Sequence, residues 1–488
     1  MNIPKNLLIQ IFYFIIGPLL VLSYCLEAFT SDVRIYLGAA KVMTVTPGFP
    51  MTLDTVWESR LVGHRFLYYI LNMISPFEGW LYSIWMKFII SIITIVILYY
   101  FSKRISERMN ITFHYPFIIG FLGLFAINNF IIFSSEYFSA VIAMIMLTLL
   151  LDDRPWVCGL SGLLIFPLIV MKGLPVLLVP IVMLVVVMLT PDYKARFYSA
   201  LVGLPVVAVA LIATVLYFPH FISDIFLLTK LAHLAQMDFL HIVEYFFKYG
   251  LGVIGFVPLI VIGSFIGFLI LSIATKYHLQ DIKLLLAMWF VAALYVLIIS
   301  EFFYYHYFLM LIPAILTICY FLKYYVYHNY AFLALVVLIL FLFVGFVSGW
   351  SWGLGYRGYM YWSEHDASAA DISGRYDILT QPVTLYLNDG EASYYFPTRS
   401  ACRYVGALPL QRHMPDWDMS SVPAYWEMQN CSLNYTGKYV IVNPVWFKLN
   451  VTTHSDIASK LDTEYTKVYS NLWDIYQRKE MIGQVNIT

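Results

Sequence analysis

The chain has 488 residues, of which 61% are hydrophobic, 18% aromatic and only 12% charged. An ordinary soluble domain has roughly 25% charged residues, so the composition excludes a soluble globular protein. Lysine plus arginine and aspartate plus glutamate both number 29, and this balance gives no electrostatic reason to expect a nucleic-acid partner. We therefore expect an integral membrane protein whose partners are the lipid bilayer and molecules carried in it.

Apolar runs of about 20 residues, the length with which a helix crosses a hydrocarbon core of about 30 Å, occur repeatedly along the chain. They are Leu7 to Leu26, Gly79 to Phe101, Tyr115 to Phe133, Phe197 to Phe218, Leu251 to Ile273 and Ala331 to Ser351. Shorter or interrupted runs are Tyr137 to Leu151, Trp156 to Met171, Leu174 to Leu189, Leu284 to Ser300 and Phe308 to Leu322. The sequence therefore predicts a mainly α, polytopic protein with about eleven transmembrane helices. The stretch from Trp156 to Leu189 is too long for one span and short for two.

The basic residues of the short loops all fall on one side of an eleven-span arrangement, and short basic loops are typical of the cytoplasmic side. The amino terminus is then inside, whereas residues 355–488 lie outside together with two longer loops, residues 27–78 and 219–250. The first run lacks a small-residue cleavage site, so we interpret it as a retained helix. The first loop is predicted to contain helices that lie in the membrane interface. Their apolar residues have helical spacing, Ile35, Ala39 and Val42 in one stretch and Phe66, Ile70 and Ile74 in another.

Residues 355–488 hold 14 of the 29 acidic residues and 11 of the 29 basic ones. The pattern predicts a small external α/β domain after a transmembrane module over residues 1–354. Its predicted elements are strand Val383 to Leu387, a turn at Asp389-Gly390, helix Glu391 to Phe396, strand Tyr439 to Val442 and helix Ser455 to Leu461. Cys402 and Cys431 are the only cysteines of this domain, and an oxidising exterior permits a disulfide between them.

Polar residues gather at the outer ends of the predicted spans and in the outer loops. They are Asp32, Arg34, Arg60, His64, Arg65, Glu136, Lys172, Glu301 and His306. This placement favours an enzyme that acts on a lipid-borne substrate at the outer leaflet. The alternatives are a transporter or flippase of lipid-linked sugar intermediates, although the chain shows no internal repeat of the kind on which transporters are commonly built, and a non-catalytic scaffold subunit.

Four segments resemble the GT-C glycosyltransferases, particularly the branch of the protein O-mannosyltransferases and the lipid A aminoarabinose transferase. Ser31 to Tyr36 resembles the acidic motif that opens the first external loop of that family. Leu168 to Pro175 is similar to the family's apolar run broken by Lys-Gly, and Tyr304 to Pro313 to the element that leads into its late helix with an embedded proline. The carboxy-terminal strands and helices resemble its small external α/β module in order and spacing.

The chain departs from the family's pattern at two places. Gly63 to Tyr69 stands where many relatives have a segment with Pro-Pro, so acceptor contacts are not carried over. The acidic motif has a single acid, Asp32 followed by Val33, and not the paired acid of many mannosyltransferases. Oligosaccharyltransferase motifs are missing from the sequence, which favours transfer of a single sugar over transfer of a block.

The resemblance implies a mannosyltransferase-like enzyme that transfers a monosaccharide, with inversion, from a polyprenyl-phosphate-linked donor. The acceptor is a hydroxyl of a glycan, lipid or protein. We expect the protein in a plasma membrane with its carboxy-terminal domain outside, or in an endoplasmic reticulum membrane with that domain in the lumen if the source is eukaryotic.

Such a transfer needs a base for the incoming hydroxyl and a cation for the departing phosphate. Asp32 is the first candidate base, because it lies about six residues beyond the first span, where partial desolvation raises the proton affinity of a carboxylate. Its alternative role is to cap an interfacial helix that starts near Val33. Glu136 is the second candidate, and its alternative role is to complement the dipole of the helix that it begins.

Candidates for binding the donor phosphate are arginines of the first loop and lysines within apolar runs. Arg34, Arg60 and Arg65 qualify because a planar guanidinium matches the oxygens of a phosphate. Lys87 and Lys172 qualify because a charge inside the membrane is costly and marks a candidate functional residue. For all five, snorkelling to lipid headgroups is the alternative role.

Four further site candidates are His64, Tyr304, His306 and Arg403. The alternative role of His306 is hydrogen bonding at the membrane interface, and that of Arg403 is a surface ion pair. No metal or other cofactor is predicted, because no pair of histidine or acidic residues has the spacing of metal ligands along one helix.

Overall fold

The computed structural model describes residues 9–26, 31–57, 60–125, 134–234, 279–299, 311–325, 351–388, 390–407, 409–410, 420, 422–450 and 454–482. The chain divides into two compact units. The helical unit comprises the described parts of Met1–Ala28, Ser83–Ala213 and Ala235–Gly358. The sheet unit comprises the described parts of Phe29–Tyr82, Thr214–Leu234 and Tyr359–Thr488.

Most of the described residues are helical. In chain order, the helices are α1 (Gly17–Leu26), α2 (Ser31–Val45), α3 (Thr52–Thr55), α4 (Val62–Ile74), α5 (Gly79–Met109), α6 (His114–Phe125), α7 (Ser135–Leu150), α8 (Pro155–Leu163), α9 (Ile165–Lys172), α10 (Leu178–Leu189), α11 (Tyr193–Leu201), α12 (Leu204–Tyr217), α13 (Phe221–Leu234), α14 (Leu279–Ile299), α15 (Leu311–Tyr325), α16 (Ser351–Arg375), α17 (Ala392–Tyr395), α18 (Pro423–Asn434) and α19 (Ser455–Glu464). A π-helical turn, Phe12–Ile16, precedes α1, and 3₁₀ turns occur at Leu174–Leu177, Ile378–Thr380 and Lys479–Met481.

In the described part of the chain, three helical stretches are long and apolar enough to cross a membrane: Leu81–Met109, Pro155–Lys172 and Tyr193–Tyr217. Shorter apolar helices are Ile9–Leu22, His114–Phe125, Ser135–Leu150, Leu174–Leu189 and Leu311–Tyr320. These stretches overlap the runs that the sequence predicts as spans. The predicted span Leu251 to Ile273, and all of Ala331 to Ser351 except Ser351, lie outside the described residues. The count of eleven therefore stays a prediction.

The stretch from Trp156 to Leu189 is a sequence of helical pieces with a break after Lys172. Gly173 has φ 78° and ψ −66°, a backbone conformation that glycine adopts far more readily than other residues. Pro175 follows in a 3₁₀ turn before α10 begins, and its missing N–H prevents an uninterrupted α-helix there. The Lys-Gly interruption seen in the sequence is therefore a real helix break, with Lys172 at the carboxyl end of α9.

Charged residues join the ends of helices in the helical unit. Arg104, near the end of α5, pairs with Asp152, in the loop between α7 and α8, and Arg108 pairs with Asp153. Arg154 donates from Nε to Asp152 over 2.9 Å. Hydrogen bonds from Arg154 lower the pKa of Asp152 to about 2. α5 continues to Met109, beyond the end of the predicted span at Phe101, and carries Arg104 and Arg108 in this extension.

The sheet unit contains a four-stranded sheet with strand order β1-β2-β4-β3, where β1 is Leu385–Leu387, β2 Tyr439–Val442, β3 Tyr465–Ser470 and β4 Asp474–Arg478. β1 is parallel to β2, whereas β4 is antiparallel to both β2 and β3. All four residues of β2 are buried. This is expected of a central strand covered on both faces, and β2 has the bounds that the sequence predicts.

The first loop packs with the carboxy-terminal region in the sheet unit. Trp57 donates from its backbone N–H to the carbonyl of Arg403 over 2.8 Å, and Val405 donates to the carbonyl of Trp57 over 3.1 Å. The Trp57 ring lies 5.2 Å from the ring of Tyr404. The sequence treats these two segments as separate parts of the chain, and the domain boundary at about residue 355 stays a prediction.

Cys402 and Cys431 form a disulfide, with their Cα atoms 5.9 Å apart. The bond links the segment between β1 and α18, which contains Cys402, to Cys431 in α18. It is the pairing that the sequence allows.

Candidate functional site

Asp32 is the second residue of α2, which starts at Ser31. The helix thus begins two residues earlier than the start near Val33 that the sequence predicts, so Asp32 lies within its first turn and not before it. An acidic residue in this position complements the helix dipole. The side chain of Asp32 lies outside the described part of the structure.

Arg34, two residues after Asp32, forms a buried ion pair with Glu391. Its Nε lies 2.8 Å from Oε1 of Glu391, and the two side chains are 3% and 2% exposed. The guanidinium carbon also lies 5.3 Å from the ring centroid of Trp362. Nε2 of His365 is 3.8 Å from the same carboxylate oxygen. Arg34 therefore has a carboxylate of the protein as its partner, whereas the sequence assigns it to the donor phosphate.

Arg60 and His64 both contact Tyr36, on α2. The Arg60 guanidinium lies 4.9 Å from the Tyr36 ring centroid, and the His64 ring lies 4.8 Å from it at right angles. His64 is fully buried. The structure thus places these two candidates around one aromatic side chain.

Asp224, in α13, lies between the guanidiniums of Arg65 and Arg403. Arg65 donates from Nη2 to Oδ2 of Asp224 over 2.7 Å, and Nη2 of Arg403 donates to Oδ1 and Oδ2 over 2.6 and 2.8 Å. Burial raises the pKa of Asp224, and the two arginines oppose this effect.

The Asp224 cluster gives both arginines a partner that the sequence does not predict. Arg65 binds a protein carboxylate where the sequence expects a phosphate. The carboxylate bound by Arg403 is fully buried, so the ion pair predicted for Arg403 exists but does not lie on the surface.

Asp224 itself is not among the residues that the sequence singles out. The sequence signal for it is an acidic residue in an apolar stretch, between Ile222 and Ile225.

Glu136 and Lys172 form an ion pair in the helical unit. Oε1 of Glu136 binds the Lys172 ammonium, and its Oε2 accepts a hydrogen bond of 3.0 Å from Ser135. Ser134 caps α7 by accepting from the backbone N–H of Tyr137 over 3.2 Å. Glu136 is 1% exposed and Lys172 17%, so the carboxylate is enclosed whereas the lysine is partly open. The structure therefore joins the second candidate base to a candidate phosphate ligand.

The remaining candidates are placed as follows. Lys87 is buried in the helical unit, on α5. Tyr304 and His306 lie outside the described residues. Within the ranges that the structure describes, no group of three or more His, Cys, Asp or Glu side chains could hold a metal ion.

No protein-family model matches the chain, and no curated protein matches it in sequence. A solved structure does match in three dimensions: the crystal structure of ArnT from Cupriavidus metallidurans bound to undecaprenyl phosphate. The TM-score is 0.57, the identity 13%, and the match covers 96% of this chain and 97% of that one. At this identity the likeness concerns the fold. The chain therefore has an ArnT-like fold, which confirms the GT-C fold that its sequence resemblance predicts.

Proposed function

We propose that the chain is an integral membrane glycosyltransferase that transfers a monosaccharide from a polyprenyl-phosphate-linked donor to an acceptor hydroxyl on the external face. The observation that carries this proposal is the fold shared over nearly the whole chain with ArnT, whose crystal structure holds undecaprenyl phosphate. Because function resides in sites and not in folds, the proposal also depends on side chains of this chain that suit each step of the reaction.

Asp32 is the proposed base. In the reaction, the acceptor hydroxyl gives its proton to the Asp32 carboxylate while its oxygen bonds to the anomeric carbon of the sugar. The bond from that carbon to the phosphate oxygen breaks, and polyprenyl phosphate leaves with the electron pair. Attack on the face opposite the phosphate inverts the anomeric configuration. A positioned base of this kind contributes about 10²- to 10⁴-fold to a rate.

Lys172 is the proposed ligand of the departing phosphate, which gains negative charge as the bond breaks. The lysine side chain is 17% exposed, and it is the last residue of α9, where the helix is interrupted. In this proposal the phosphate competes with Glu136 for the ammonium. Lys87 and Arg60 stay secondary candidates.

We assign structural roles to Arg34 and Arg65. They are 3% and 1% exposed, and both bind carboxylates that are themselves buried. A phosphate could reach either guanidinium only in these enclosed surroundings, where the charge of the arginine is already balanced by a carboxylate.

The surface of α4 supports a location at the membrane interface. Phe66, Ile70 and Ile74 are exposed, at 44%, 39% and 54%, whereas His64 and Arg65 on the same helix are buried. A helix with its apolar side outward and its polar side inward suits a lipid surface. The apolar residues of α2 do not face outward in this way, because Ala39 and Val42 are fully buried inside the protein.

The test is to reconstitute the purified chain in lipid with a panel of polyprenyl-phosphate monosaccharides and a membrane extract as the source of acceptors. We expect consumption of at least one donor with release of polyprenyl phosphate. Movement of the sugar lipid across the vesicle membrane without its consumption would contradict the proposal and favour the flippase.

A further inference from the structure

We propose that Glu391 is a positioning residue for the transfer reaction, because it fixes the first turn of α2 through Arg34 and thereby sets the place of the base. This inference rests on the proposed function, since it takes Asp32 as that base. Glu391 itself has no proposed contact with donor or acceptor.

The ion pair of Arg34 and Glu391 acts on the turn that carries Asp32. The first turn of a helix has backbone N–H groups without partners inside the helix, so its place depends on contacts made by its side chains. Arg34 lies in this turn, and it is held at 2.8 Å by Glu391 and covered by the ring of Trp362 at 5.3 Å. Because both charged side chains are almost fully enclosed, solvent screens the pair little.

Two further residues extend the contact along the same face of α2. Gly38 and Lys41 follow Arg34 at the i+4 and i+7 positions, which share one side of a helix. A Cβ atom on Gly38 would lie 2.2 Å from Oγ of Ser393 and 2.8 Å from the backbone nitrogen of Tyr394. The backbone of α2 therefore touches the segment that begins at Glu391, and only a glycine fits there.

Lys41 completes the face one turn later. Its Nζ lies 3.8 Å from the ring centroid of Tyr394, at the distance of a cation–π contact. Burial lowers the pKa of Lys41, while the nearby acids Glu78 and Asp366 partly oppose this shift. Three positions on one face of α2 thus contact Glu391, Ser393 and Tyr394, which lie within four consecutive residues of the chain.

The consequence for catalysis is geometric. A displacement of about 1 Å at a reacting group can reduce a rate by about 10²-fold. The segment from Glu391 to Tyr394 holds α2 in one place along its axis, and Arg34 holds its first turn. The carboxy-terminal region would thus act on the reaction by placing the base, while donor binding depends on other residues.

The test compares Glu391→Gln with Glu391→Asp and with the control Glu364→Gln, an exposed glutamate of α16. Glutamine keeps the shape of Glu391 but removes its charge, and aspartate keeps the charge. For each variant in lipid, we would measure kcat and the donor KM, together with the hydrogen exchange of amides in residues 31–45. For Glu391→Gln we expect a kcat at least about tenfold lower, a donor KM within about twofold of wild type, and faster exchange in α2. Glu391→Asp should recover part of kcat, and Glu364→Gln should match wild type.

A pair of glycine variants gives a second measurement that does not alter any charge. Gly38→Ala introduces the Cβ that Ser393 and Tyr394 leave no room for, whereas at Gly374, in α16, a Cβ would meet nothing within 4 Å. We expect a lower kcat and faster exchange in α2 for Gly38→Ala, and wild-type values for Gly374→Ala.

Wild-type kcat in Glu391→Gln would overturn the inference, and so would a loss confined to donor KM or an unchanged exchange in α2. If the wild-type chain consumes no donor, the proposed function fails. The exchange measurement then still decides whether Glu391 fixes the first turn of α2.

Discussion

Lys172 is the last residue of α9, and its ammonium pairs with the carboxylate of Glu136, the second residue of α7. The pair holds the broken end of α9 against the start of another helix. Glu136 is 1% exposed and Lys172 17%, so the carboxylate that holds the lysine is enclosed, whereas the lysine side chain is partly open.

Removing Glu136 should therefore cost stability, whereas removing the whole pair should not. Breaking a buried ion pair costs about 3–5 kcal/mol because one charge stays without its partner, and replacing both partners is often close to neutral. We expect Glu136→Gln to lower the unfolding temperature and the double variant Glu136→Gln with Lys172→Met to recover most of it. Turnover should stay low in the double variant, since the phosphate ligand is missing.

The matched control for Glu136→Gln is Glu107→Gln, which removes the carboxylate of an exposed pair with Arg104. Exposed pairs contribute about 0–1 kcal/mol, so this variant should keep the wild-type unfolding temperature. Normal turnover in Lys172→Met would assign the lysine to a structural role.

Asp224 supports a second stability prediction, because it is the carboxylate that separates Arg65 from Arg403. Asp224→Asn keeps the size of the side chain but removes the negative charge that both guanidiniums bind. We expect a loss of about 3–5 kcal/mol in chemical denaturation. Asp371→Asn is the control, since Asp371 forms an exposed pair with Arg375; equal losses in the two variants would remove the special role of Asp224.

The lowered pKa of Asp152 predicts how the stability of the folded protein depends on pH. Its pKa is lowered from 3.8 to about 2 by hydrogen bonds from Arg154, so the folded state favours the charged form. The stabilisation is present above about pH 4 and is lost as the pH falls from there toward 2. Because the partner Arg154 is mostly exposed, solvent screening keeps the effect small.

We therefore expect Asp152→Asn to unfold at a lower temperature than wild type at pH 6, with a smaller difference at pH 3. Thermal unfolding in lipid at the two pH values checks this. A difference of the same size at both would show that the charge of Asp152 does not contribute.

The sequence predicts the places of many elements but few of the side-chain pairs. Apolar spacing predicts helices around Ile35 and Phe66, and α2 and α4 lie there. The alternation of the carboxy-terminal region predicts β2 at its observed bounds. A helix that buries one face repeats its apolar residues about every 3.6 positions, whereas a strand that is buried on both faces is a short continuous apolar run.

The ion pairs could not be predicted because the sequence shows which residues carry charge but not which charges meet. Arg34 pairs with Glu391 and Arg65 with Asp224, and the two partners of each pair are far apart in the chain. These pairs depend on tertiary packing and not on local sequence. The break after Lys172 can be predicted because Gly173 and Pro175 are local signals in the sequence. The sequence indicates that Glu136 lies at the start of a helix, but it does not indicate the bond to Lys172.

Topology can be tested by cysteine labelling of intact cells. Cys25, Cys158 and Cys319 are buried, and the other two cysteines form the disulfide, so the background should be low. The basic-loop pattern predicts that a cysteine replacing the exposed Asp462 reacts in intact cells, whereas one replacing Lys103 reacts only after permeabilisation. The reverse result would invert the orientation and remove the external site.

The central claim is that Asp32 is the base of a sugar transfer from a polyprenyl-phosphate donor. Asp32→Asn keeps the size and most of the hydrogen bonding of the side chain, and it removes the basicity. An asparagine in the first turn of a helix loses only the interaction of the charge with the helix dipole, so a purely structural residue would tolerate the change, with a loss of about 1 kcal/mol or less.

The decisive measurement is the turnover and the donor affinity of Asp32→Asn in one well-folded preparation, beside wild type. We predict a turnover lower by about 10²-fold or more, as for the loss of a general base, together with an unchanged donor affinity. Near-normal turnover would contradict the assignment of Asp32 as the base.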